Sequence, residues 1–214
     1  MLSEYKTILT DGRDEFIVSR SRFIGWAKPV STEEEALSFI EEIKKKHWDA
    51  THNVWAYVLG PGGNTQRYSD DGEPQGTAGI PALEVIRKEG LRNVAVVVTR
   101  YFGGVKLGAG GLVRAYTQGA KIGLEAGRII TRKPYLTRFV ETEYSFVGKF
   151  QREFQQREYP IRDTIYGQNV TFQVLAPPEG LEALESFVRE ATAGQAILRE
   201  GPEVYVSFWN GQPL

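Results

Sequence analysis

Two short segments hold most of the side chains able to do chemistry: Arg67-Tyr-Ser-Asp-Asp-Gly-Glu-Pro-Gln-Gly-Thr-Ala-Gly-Ile-Pro81 and Thr99-Arg-Tyr-Phe-Gly-Gly-Val-Lys-Leu-Gly-Ala-Gly-Gly-Leu-Val-Arg-Ala-Tyr116. Glycine costs about 1 kcal/mol against alanine inside a helix, so this density points to special backbone angles or a close approach. The second segment follows the apolar run Val94–Val98 and turns helical from about Gly110. A strand, a glycine loop and a helix start bring free amide N–H groups and the positive end of a helix dipole together, which suits an anion. In this cradle, spanning Gly103–Gly111, the amides of Gly108, Gly110 and Gly111 would hold phosphate. Lys106 adds a point charge and Arg114 stands one turn into the helix. The spacing fits neither a Walker loop nor the dinucleotide fingerprint, which disfavours a nucleotide pocket of either kind. The same glycines would also serve a tight crossover from strand to helix.

Three carboxylates, Asp70, Asp71 and Glu73, follow Arg67 and Ser69. Clustered oxygens suit a hard cation such as magnesium. No calcium-loop spacing is present, and Asp70-Asp71-Gly72-Glu73-Pro74 is a strong turn sequence, with Asp71 placed to bond its own backbone. The expected role is to orient Arg67 or to cap a helix starting near Thr77, without a metal. His47 and His52, the only histidines, match no zinc spacing. His52 could act with Asp70 as a general base, or contact phosphate from a strand end. In Ser19-Arg20-Ser21-Arg22-Phe23-Ile24-Gly25, arginine beside an exposed aromatic would suit RNA; a hairpin with solvated arginines and Phe23 in the core is the other reading. The anion or nucleic-acid set is thus Arg22, His52, Arg67, Lys106, Gly108, Gly110, Gly111 and Arg114, supported by Asp70, Asp71 and Glu73.

The two glycine-rich segments resemble the signature of the IMPACT family, and the chain resembles its bacterial two-domain branch, most closely over roughly residues 15 to 130. The resemblance implies an N-terminal domain of the ribosomal-protein-five second-domain type. It implies a C-terminal ferredoxin-like domain similar to the fifth domain of elongation factor G, and a connection to translation. Eukaryotic members inhibit a starvation-sensing initiation kinase through an additional N-terminal domain, which is not expected here because the strand pattern begins by Tyr5.

Composition sets the outer bounds. The chain has 214 residues, 41% hydrophobic and 25% charged, as ordinary globular proteins do. No apolar run reaches the ~20 residues of a membrane span, and Met1-Leu-Ser-Glu-Tyr5 lacks a signal-peptide order, so the cytoplasm is expected. The absence of cysteine excludes disulfides, thiolate catalysis and cysteine-ligated zinc, and no cofactor is implied. Residues 1–133 hold 19 basic against 16 acidic side chains and residues 134–214 hold 7 against 11, so any polyanion site must be a local patch.

The elements that must position these groups fall into two plans, giving an α+β chain with a boundary at Pro134. In 1–133, strands are read over Tyr5–Leu9, Glu15–Val30 with a turn near Ser19-Arg20, Asn53–Leu59 and Val94–Phe102. A helix capped by Ser31 with Glu34 buries Ala36, Leu37, Ile40 and Ile43, and its closing Lys44-Lys45-Lys46 compensates the dipole. A second helix lies between Gly79 and Gly90, and Ala115, Gly119 and Gly123 line the third where it approaches the sheet. Residues 134–214 read strand, helix, strand, strand, helix, strand, the ferredoxin-like order. The function expected is a translation-associated regulator that binds RNA, the ribosome or another phosphate-bearing ligand through the glycine loop. The alternative is an enzyme on a phosphorylated or nucleotide substrate, using His52, Arg67, Asp70 and Lys106 in one cleft.

Overall fold

The computed structural model describes residues 3–214; Met1 and Leu2, from the opening read for a targeting signal, lie outside the described residues. The chain is α+β and divides into two compact units. One holds Ser3–Arg132 with Phe208–Pro213, the other Lys133–Ser207 with Leu214. No described helix is long and apolar enough to cross a membrane.

In the N-terminal unit, β1 (Tyr5–Ile8) precedes β2 (Gly12–Val18), β3 (Ser21–Pro29), α1 (Glu33–Lys46), β4 (His52–Leu59) and β5 (Thr65–Ser69). Next come α2 (Gly79–Lys88), β6 (Val94–Tyr101), α3 (Gly108–Ala126) and β7 (Ile129–Thr142), whose first residues pair with β1. Five strands form one antiparallel sheet in the order β2-β3-β6-β4-β5. The β2–β3 turn is Ser19-Arg20, both at positive φ, as a two-residue hairpin matching strand twist requires. β6 is central, so both of its faces are apolar: Val94, Val96 and Val98 pack on the side of α2 and α3, Ala95 and Val97 on the side of α1.

Local chemistry sets the helix ends. α1 starts one residue later than the sequence spacing suggests: Thr32, not Ser31, is the N-cap and accepts from the Glu35 amide. Glu35 in turn accepts from the Ser31 amide, a reciprocal arrangement that satisfies two otherwise free donors. Phe39 takes the buried place expected of Leu37, which is exposed, because Phe39, Ile40 and Ile43 share the face turned to the sheet. α3 lies on β3 with almost no side chain between. A Cβ on Gly25 would stand 1.9 Å from the Gly119 carbonyl oxygen, and one on Gly123 would stand 2.9 Å from the Gly25 carbonyl carbon. The small-residue row therefore does the packing work expected of Gly119 and Gly123.

In the C-terminal unit, β7 is followed by α4 (Val147–Gln156), β8 (Ile161–Tyr166), β9 (Val170–Ala176), α5 (Leu181–Ala191) and β10 (Ile197–Trp209); β11 (Gln212–Pro213) and the last two residues of β10 are grouped with the other unit. The sheet order β10-β7-β9-β8 places the first strand of the βαββαβ run between its fourth and third, the ferredoxin-like split motif. Phe150, Phe154, Phe172, Leu184 and Val188 close a core that draws only on residues between 140 and 198. On that basis we propose Pro134 as the domain boundary.

Two outcomes follow for stability. Gly25→Ala must push α3 off the sheet and should cost about 3 kcal/mol or more in urea unfolding. Gly148→Ala, where an added Cβ meets nothing within 4 Å, should stabilise α4 by about 0.5–1 kcal/mol. A fragment of residues 134–214 is expected to unfold in one cooperative transition by circular dichroism; a gradual transition would move the boundary.

Candidate functional site

The two glycine-rich segments converge on one buried carboxylate. Glu73, in the loop between β5 and α2, accepts at Oε1 from Arg100 Nη1 at 2.5 Å and from the Tyr116 hydroxyl at 2.7 Å. His52 Nε2 stands 3.8 Å from the same oxygen. All four side chains belong to one face of the sheet: His52 and Phe23 are each the cross-strand partner of Arg100, and Phe23 and Tyr116 share the core beneath α2 and α3. The Arg100 guanidinium lies between the rings of Phe23 and Phe102, 5.5 Å and 5.4 Å from their centroids. Burial, helped by the hydrogen bond to Glu73, pushes the Tyr116 hydroxyl far up, so it stays a donor.

The neighbouring acids hold the loop in place. Asp70 Oδ1 accepts from the amides of Ala78 and Gly79, and Oδ2 from that of Gly76, so Asp70 caps the start of α2. Asp71 sits at φ 46, a region few non-glycine residues adopt. Contrary to the turn expectation, its carboxylate leaves the local backbone and accepts from the Asn53 amide at 2.7 Å. The Asp71 carbonyl accepts from His52 Nδ1–H at 2.7 Å. His52 therefore works with Glu73 and the Asp71 carbonyl, not with Asp70. Both Asp70 oxygens are taken by amides, which leaves the acidic trio no shared ligand geometry, and no cluster of three metal-ligating side chains occurs among the described residues.

The glycine loop lies next to this cluster in sequence. Gly103 packs on the hairpin turn, where an added Cβ would stand 1.9 Å from the Arg20 carbonyl oxygen. Gly108 has φ +70, and Gly110 and Gly111 complete the first turn of α3. That turn has no side-chain cap and no acidic residue. Lys106 and Arg114 are exposed and make no ion pair or hydrogen bond among the described residues.

The remaining expected residues stand apart. Arg22 is opposite Tyr101 and Arg67 opposite Tyr57, which puts both on the α1 face, away from His52. Arg22 is held by Glu15 at 2.8 Å, and among the described residues the Arg67 guanidinium bonds only the Gln66 carbonyl rather than a neighbouring acid. Phe23 is fully buried, which removes it as a base-stacking platform. His47 donates from Nδ1 to the Tyr101 oxygen, since that hydroxyl is given to Asp49, and burial with Lys46 nearby lowers its pKa. Arg100, Tyr116 and Phe102 are the members that sequence reasoning passed over. The signal for Arg100 was a charge near the end of a strand that opens with the apolar run Val94–Val98.

Known proteins match the chain over both units. Residues 19–124 match the Impact N-terminal domain and residues 140–195 a domain of unknown function, DUF1949. IMPACT family member YvyE of Bacillus subtilis (strain 168) is 41% identical over 206 residues, 96% of this chain and 95% of that one. IMPACT family member YigZ of Escherichia coli (strain K12) is 36% identical over 165 residues, 75% of this chain and 79% of that one. A solved structure described as a crystal structure of a hypothetical protein superposes with a TM-score of 0.60 at 27% identity, covering 94% of this chain and 99% of that one. The chain belongs to the IMPACT family.

The buried pair makes its own test. Glu73→Gln leaves Arg100 without a counter-ion and should cost about 3–5 kcal/mol in chemical denaturation. Tyr116→Phe removes one bond to a charged acceptor and should cost about 1.5–3 kcal/mol. Equal and small effects would mean that water reaches the cluster freely.

Proposed function

We propose that this IMPACT-family chain is a translation-associated regulator that binds RNA, free or within the ribosome, through phosphate contacts at the start of α3. The observation that carries the reading is the first turn of α3: glycine amides without a side-chain cap, next to Lys106 and Arg114, two exposed cations without partners among the described residues. Free N–H groups and the helix dipole favour an anion there, and glycine lets phosphate oxygens come close to the backbone. An added Cβ on Gly110 would meet only the Arg114 guanidinium, 3.7 Å away. Exposed Phe102 and Val105 in the preceding loop give the surface an apolar side on which a base can rest. The C-terminal split βαβ order supports the link to translation by analogy with elongation factor G, a fold-level argument.

The enzyme reading draws less from the geometry. His52 faces a carboxylate already held by Arg100 and Tyr116, and Arg67 stands on the opposite face of the sheet. Binding to a single-stranded uridine oligomer, followed by filter retention at two salt concentrations, tests the proposal. Affinity should fall with salt by a log–log slope of about −0.7 per phosphate neutralised. Lys106→Ala and Arg114→Ala should each weaken binding by about tenfold or more, as charge-assisted phosphate contacts do, with melting temperatures unchanged. Salt-independent retention, or full affinity in both variants, would remove the site from α3.

A further inference from the structure

The two oxygens of Glu73 are in different situations. Oε1 takes Arg100 at 2.5 Å and Tyr116 at 2.7 Å, and faces His52 at 3.8 Å. Oε2 has no hydrogen-bond partner among the described residues and keeps a small contact with solvent, although the Glu73 side chain as a whole is only 4% exposed. His52 brings a second acceptor. Its Nδ1–H is given to the Asp71 carbonyl at 2.7 Å, so in the neutral ring Nε2 carries a lone pair. Two acceptors held close together call for a donor that serves both.

Phe102 says what kind of donor. The residue is 46% exposed, and its ring centroid lies 5.4 Å from the same guanidinium that binds Glu73. One arginine therefore separates an exposed aromatic face from a carboxylate oxygen with spare capacity. Gly72 adds no bulk over the His52 ring, where a Cβ would approach to 3.5 Å.

We infer that this is a nucleobase site: a base bearing an exocyclic amino group stacks on Phe102 and donates its amino hydrogens to Glu73 Oε2 and His52 Nε2. The inference rests on the RNA-binding reading and deepens it by naming the base edge. Glutamate accepting from the cytosine amino group is an established pairing geometry, and stacking on an aromatic ring is the common way to hold an unpaired base. A cationic ligand, such as a lysine of a protein partner, fits worse. Arg100 already places a positive charge 2.5 Å from Glu73 and would repel a second, whereas a neutral amino group meets no such penalty.

Cytidine and uridine differ at the edge that this site would read, and neither carries a phosphate. Titration of the isotope-labelled full chain with each, followed by amide chemical shifts, tests the inference apart from the anion cradle. Cytidine should shift signals around His52, Glu73 and Phe102 and bind about tenfold more tightly than uridine. Glu73→Gln should abolish that preference. Because Glu73→Gln also unpairs Arg100, Phe102→Ala provides a second variant that keeps the buried pair; it should weaken both nucleosides about tenfold, as loss of a stacking platform does. Equal affinities, shifts confined to other regions, a preference that survives Glu73→Gln, or tighter binding of lysine methyl ester than of cytidine would each overturn the base site. Failure of the RNA-binding reading looks different: the uridine oligomer would then show no salt-dependent retention, whatever the nucleosides do.

Discussion

A carboxylate and a guanidinium inside a protein must find each other, because either alone in a medium of low polarity costs several kcal/mol. Glu73 and Arg100 meet that constraint in the N-terminal unit, and much of its architecture is arranged around the meeting. Arg100 is the next-to-last residue of the central strand, Glu73 comes from the loop before α2, and Tyr116 reaches in from α3. Holding Glu73 there fixes the loop. Once fixed, the loop places Asp70 under the first amides of α2 and Asp71 against the start of β4. The acids that look like a metal cluster in sequence thus divide into a helix cap, a strand clamp and a buried counter-ion.

The second constraint is steric. α3 lies so close to β3 that Gly25, Gly119 and Gly123 have room for no side chain. This contact seats the helix and so sets where its first turn points. The glycines of that first turn follow another logic, since Gly108 has positive φ and open space around it. One helix therefore uses glycine in two ways: for packing at its middle, and for backbone access at its start. The distinction is what lets a structural helix also carry a binding surface.

The C-terminal unit solves the same charge problem more simply. Arg138, nearly buried, meets Glu185 of α5 at 2.8 Å, and the guanidinium holds that carboxyl below its usual range. There the pair joins a sheet to a helix, and both Glu185 oxygens are engaged, by Arg138 and Arg189. Glu73 differs in keeping one oxygen free. Family membership covers both units, and uncapped first turns occur in both, at α3 and at α4; what sets the N-terminal one apart is the glycine-rich start of α3 beside Lys106 and Arg114.

Apart from the edge strand β5 and the pairing of the first residues of β7 with β1, the sequence by itself determined the element order, the α+β class, the ferredoxin-like run and the row of small residues in α3. These are legible because periodicity, turn residues and helix punctuation act locally. It also marked the glycine loop, since glycine at this density has few structural uses. Tertiary structure alone decided which charges share a site. Arg22, Arg67 and His52 look equivalent as exposed polar residues near strand ends, yet cross-strand register sends the first two to the α1 face and His52 to the other. A strand alternates its side chains with a period of two, so one position of register reverses the face, and no local pattern records where a partner strand begins. Arg100 and Glu73 lie 27 positions apart. Their pairing depends on the sheet and α3 closing around them, which is why neither segment, read alone, names its partner.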